Sequence, residues 1–136
     1  MEFIEEKFRL PIGPIIYGCL VTFFCLLCVT IVIAIAVESG WTVTIAPYQR
    51  NLFLGLGYLA LITGSITGGL KSNFHGWLVG LGIGLGVSLI FLILETVSGA
   101  GAPHWGIYLV KTLISAFIGL FGGIIGVNIS SSRKSI

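Results

Sequence analysis

Four apolar stretches, each long enough to cross a bilayer, make up nearly all of this chain: residues 15–37, 52–70, 76–94 and 105–129. A spanning helix needs about 20 mostly apolar residues, and a bilayer admits only helices and closed barrels because both satisfy their own backbone polar groups. Charges fall between the stretches or at the ends. The exception is Lys111, early enough in the fourth stretch for its stem to snorkel to the interface. Charged residues are 9% of the 136, against about 25% in a soluble domain, so water cannot be the main solvent. The expected fold is all-α: a polytopic membrane protein with four transmembrane helices in one compact bundle, residues 15–129. The first stretch exceeds the ~7–15 apolar residues of a cleaved leader, so it is expected to remain as a span.

Lys and Arg set the orientation of such a chain. With the N-terminus inside, Lys7, Arg9, Lys71, Arg133 and Lys134 lie on the inner side, leaving only Arg50 and Lys111 outside. Both termini are therefore expected in the cytoplasm, with residues 130–136 as a cytoplasmic tail. Residues 1–14 form a short inner segment: Phe3, Ile4, Phe8 and Leu10 alternate with charges before Pro11 and Pro14. Two readings stay open for it, an amphipathic helix on the membrane surface or a disordered tail. Trp41, Tyr48, Trp77 and Trp105 lie near span ends, where interfacial aromatics belong.

The chain reads as a two-helix hairpin used twice. Tyr17-Gly18 opens the first span and His75-Gly76 the third; Glu38 closes the first and Glu95 the third; Gly68-Gly69 and Gly122-Gly123 lie late in the second and fourth. Each glutamate precedes a base at the start of the next span, Arg50 and Lys111 respectively. In antiparallel hairpins Glu38–Arg50 and Glu95–Lys111 become candidate interfacial ion pairs fixing hairpin register, worth about 0–1 kcal/mol each. The alternative is a carboxylate ring at a pore mouth.

Glycine sets the packing. Lipid tails are as apolar as leucine, so burial does not draw helices together inside a bilayer; close contact along smooth faces does. Such faces are offered by Gly64 and Gly68 on the second span, Gly76, Gly80 and Gly84 on the third, and Gly119 and Gly123 on the fourth. Gly82 and Gly86 give the third span a second face, which serves either two neighbours in the chain or another copy. The first span has Phe23, Phe24 and many β-branched residues, and is expected at the periphery.

Chemistry-bearing groups are sparse. Net charge is +2 with scattered bases, so no basic face for nucleic acid exists. His75 and His104 fall at opposite membrane faces and cannot share a metal or a triad. Cys25 and Cys28 form a CxxC inside an apolar run, read as packing residues rather than a redox or zinc site. Gly82-Ile83-Gly84-Leu85-Gly86 lies mid-span, where helical bonding consumes the N–H groups that a phosphate loop would need. No catalytic, cofactor or metal site is expected. Intramembrane hydroxyls such as Thr22, Thr63, Thr67, Ser88 and Ser115 are expected to bond back to their own helix. Asn128, after Gly122-Gly123-Ile124-Ile125-Gly126-Val127, is a candidate helix cap or interhelical contact.

The run Ile62-Thr63-Gly64-Ser65-Ile66-Thr67-Gly68-Gly69, the short turn into Gly76-Trp77-Leu78-Val79-Gly80, and the Gly122–Asn128 run together resemble an uncharacterised family of small four-helix membrane proteins of Gram-positive, Firmicutes-type bacteria. The resemblance covers roughly residues 14–129, and Lys71 supplies the basic residue of that family's inner turn. It implies a bacterial plasma membrane and no assigned activity. The expected function is a non-enzymatic packing or assembly partner in a membrane complex. The alternative is a small oligomeric channel or transporter for ions or small solutes. The partners expected are the lipid bilayer and either further copies or other membrane subunits.

Overall fold

A computed structural model describes residues 11–41, 46–72, 75–99 and 104–135. The segment before Pro11 lies outside the described residues, as does the side chain of Arg50 and with it the Glu38–Arg50 pair. Four helices appear: α1 (Ile12–Ala36), α2 (Gln49–Lys71), α3 (Gly76–Val97) and α4 (Trp105–Lys134). Each is long and apolar enough to cross a membrane. The 22 residues of α3, the shortest, span about 33 Å at 1.5 Å per residue, against a hydrocarbon core of about 30 Å. Among the described residues there is no strand. The chain is an all-α integral membrane protein.

Helix ends differ from the expected spans for local reasons. α1 begins at Ile12, because Pro14 sits in the first turn, where its missing N–H would have had no partner anyway. It runs into a wider π-type turn, Val37–Trp41, in which Gly40 takes φ 86°, a conformation open mainly to glycine. Gly99, at φ 67°, ends the third helix in the same way, with Ser98 N–H donating to Leu94 O at 2.9 Å. α4 continues past Asn128 to Lys134, with Arg133 and Lys134 in its last turn, where cations suit the helix dipole. Asn128 is thus an exposed residue within a helix, not at its end.

The glycines bring backbone against backbone. A methyl group built on Gly84 would stand 2.5 Å from the Ser115 carbonyl oxygen, and one on Gly80 would press on the Gly119 carbonyl and reach Gly123 Cα at 3.0 Å. One on Gly76 would collide with the Gly123 carbonyl and the Val127 side chain. These three sites zip α3 to α4 without a gap. α4 turns its other glycine face, Gly122 and Gly126, towards α2, where a methyl on Gly69 would stand 2.6 Å from the Gly123 carbonyl. α1 joins at one tight crossing, Gly18 over Gly64, with Thr22 beside it.

Both glycine faces of α3 are therefore used within one chain. Gly76, Gly80 and Gly84 meet α4, while Gly82 and Gly86 receive Ile15 and Cys19 of α1. The second face serves the first span, not another copy. The central role is shared: α4, like α3, is grooved on two sides. α2 and α3, joined by the shortest connection, meet mainly through the Ile83 side chain, which reaches Gly68 and Gly18. Ile83 and Val79 are wholly buried and, with Leu61 and Val87, form the core. α1 is the most lipid-exposed helix, yet its Gly18 and Thr22 are buried. Lys71 Nζ lies 4.0 Å from the Tyr17 ring centroid, a cation–π contact that ties the end of α2 to α1.

Gly80→Leu should cost about 3 kcal/mol or more by overpacking the α3–α4 zipper. Gly55→Leu, where an added methyl meets nothing within 4 Å, should be silent. Thermal unfolding of the detergent-solubilised protein reads both; equal melting temperatures for the two variants would refute the intramolecular zipper.

Candidate functional site: a cleft in the distal half of the bundle

The zipper covers only half of the bundle's length. It occupies the proximal half, the end that carries Ile12, Lys71 and Gly76. Towards the distal end, Gly55, Gly57 and Gly106 have no neighbour within 4 Å of an added methyl. The helices part there, and a cleft of about 810 Å³ opens among all four. Leu61 and Val87 close its floor. Leu26, Phe53, Leu54, Phe91 and Leu94 make its walls apolar. Thr30, Tyr58, Ser88, Tyr108 and Ser115 add hydroxyls, and Glu95 and Lys111 add opposite charges. Its volume lies within the ~300–1,000 Å³ typical of small-molecule pockets.

The threonines of α1 and α2 return their hydroxyls to their own helix, as expected. Thr22 donates to Gly18 O (2.9 Å), Thr30 to Leu26 O (2.7 Å) and Thr63 to Leu59 O (2.9 Å). Thr67 donates to Thr63 O and Gly64 O. Ser88 departs from that pattern. Its Oγ lies 2.8 Å from Thr112 Oγ1 and 3.4 Å from the Tyr108 hydroxyl, which donates to the Ser88 carbonyl. This cluster joins α3 to α4 just above the last zipper contact. Ser65 Oγ, buried where α2 crosses α4, has no hydrogen-bond partner among the described residues.

Register decides what the charged residues do. Gly80 faces Gly119, Gly84 faces Ser115 and Ser88 faces Thr112. Continuing that antiparallel register sets Glu95 level with His104 and Trp105, about two turns nearer the distal end than Lys111. At 1.5 Å per residue the separation along the axis is about 10 Å. Glu95 and Lys111 line one cleft at different depths, and among the described residues they form no ion pair. The glycine contacts, not a Glu95–Lys111 ion pair, fix the register of this hairpin. Those same contacts would have revealed the Ser88–Thr112–Tyr108 cluster.

The remaining candidates stand apart from the cleft. His75 and His104 immediately precede α3 and α4, a helix length from each other, with no side-chain cap bond. Cys19 packs over Gly86, and Cys28 is exposed. Asn128 lies beyond the zipper, at the proximal end.

Residues 11–126 match the profile of a protein family described as a protein of unknown function (DUF3792). The chain belongs to this family. The matched range takes in every zipper glycine and the whole cleft, and it agrees with the resemblance read from the glycine motifs. A relative, the uncharacterized membrane protein YrzE of Bacillus subtilis (strain 168), is 26% identical over 135 residues, covering 98% of this chain and 87% of its own. No solved structure matches.

Removing Ser88 and Thr112 hydroxyls singly and together should give a coupling energy of about 0.6 kcal/mol, the usual worth of one interhelical hydrogen bond in a membrane. A double-mutant cycle with Ser88→Ala and Thr112→Val, read by denaturant unfolding in detergent, measures it. Additive losses would show the contact contributes nothing.

Proposed function

We propose that this membrane protein is a non-enzymatic assembly partner, docking through α1 onto another membrane protein in the bacterial plasma membrane. The observation that carries this reading is a row of bulky side chains on the outer face of α1. Leu20, Phe24, Leu27, Ile31 and Ile35 recur at spacings of three and four residues, and all are exposed. That is the spacing with which one helix fits knobs into the holes of another. α1 is held to its own bundle by one tight crossing and a few side chains, leaving this row unused by the chain. A conducting role has less support. Val79 and Ile83 fill the proximal half, and Thr63 and Thr67 turn their hydroxyls to their own backbone, so no polar stripe runs end to end among the described residues.

A photo-crosslinking residue at Leu27 should give one discrete protein adduct in native membranes. Phe24→Ala should weaken that adduct at least severalfold without changing the melting temperature. Adducts to lipid alone would sink the docking reading.

The same reading places both termini in the cytoplasm, on the strength of five of the seven Lys and Arg residues. With the natural cysteines replaced by Ala, an impermeant maleimide applied to intact cells should label Ser98→Cys and spare Ser135→Cys. The reverse pattern would invert the topology.

A further inference from the structure

We infer that the distal cleft binds a phospholipid whose headgroup carries a phosphate and, beyond it, a primary ammonium. The inference rests on the cleft alone and stands whether or not α1 docks onto a partner. Three properties of the cleft, taken from its floor outward, define the ligand.

The floor and lower walls are apolar, formed by Leu61, Val87, Phe91 and Leu54. They suit an acyl chain, which loses nothing by leaving bulk lipid for such a surface and gains close contact. Above them Lys111 lines the cleft, on the turn of α4 that the register sets level with Ser88. A lysine ammonium at this level suits a phosphate diester. Glu95 comes last, nearest the distal end, with Ser98 beside it. A carboxylate at the mouth suits a cation.

The order apolar, cationic, anionic is therefore complementary to a molecule ordered chain, phosphate, ammonium. The axial offset between Lys111 and Glu95 is what makes the match. Had the two formed a register-matched ion pair, each would have neutralised the other and neither charge would remain for a ligand. An anionic headgroup without an amine satisfies Lys111 and meets repulsion from Glu95. A choline headgroup reaches Glu95 with a quaternary nitrogen that has no N–H to donate. The primary amine satisfies both sites.

Native mass spectrometry of the full chain in a mild detergent tests this. Phosphatidylethanolamine, phosphatidylglycerol and phosphatidylcholine with identical acyl chains are titrated in parallel. Phosphatidylethanolamine should bind about tenfold tighter than phosphatidylglycerol, the worth of one charge-assisted hydrogen bond. Glu95→Gln should abolish that preference, and Lys111→Gln should weaken all three lipids together. Gly57→Phe fills the cleft from a position where an added methyl meets nothing within 4 Å, so it should block binding while leaving the fold intact. Equal binding of the three lipids to the unmodified chain would overturn the inference. So would an undiminished preference in Glu95→Gln, or full binding in folded Gly57→Phe. Loss of the Leu27 crosslink would leave these binding results untouched, so failure of the docking reading and of the lipid reading are separable.

Discussion

Everything in this bundle follows from carbonyl oxygens of one helix lying against glycine Cα atoms of the next. In water, burying leucine would hold four helices together at any spacing that excluded solvent. In lipid that drive is absent, and contact must come from surfaces that fit. The contacts from Gly76 to Gly123, Gly80 to Gly119 and Gly84 to Ser115 supply such a surface, and no side chain larger than hydrogen fits at the glycine positions. Each glycine raises the entropic cost of its helix, so the contacts must offset about 1 kcal/mol per position before they stabilise anything.

The cleft is the other side of the same arrangement. Where the glycines stop meeting neighbours, the helices separate, and the space between them carries the polar groups that the zipper excludes. Ser88 marks the boundary: below it the helices meet through backbone, and at its level through hydroxyls. The two opposite charges then fall at different depths because the glycines, not the charges, fix the register of α3 against α4.

The number, type and approximate bounds of the helices were legible from hydropathy alone, since 20 apolar residues in a row admit few alternatives. The glycine faces were legible as faces, but not their partners. Gly82 and Gly86 looked available to a second copy, yet receive Ile15 and Cys19 from a helix whose bulk suggested pure periphery. Periodicity shows which residues share a side of a helix; it does not tell which neighbour comes to that side. Glu95 and Lys111 show the same limit. Antiparallel hairpin pairing is a soft constraint, while the backbone contact of Gly84 with Ser115 sets the register. Asn128 looked like a cap because glycine precedes it, but the helix runs on to Lys134 with two bases in its last turn.

A bundle clamped along one half and parted along the other is mechanically uneven. Its zippered end resists lateral deformation, because any change of spacing there drives carbonyl oxygens into Cα atoms. Its parted end is compliant, because only rotatable side chains line the gap. The two leaflets of the surrounding membrane therefore have unequal purchase on the protein. Room for side-chain rearrangement is confined to the end that holds the cleft.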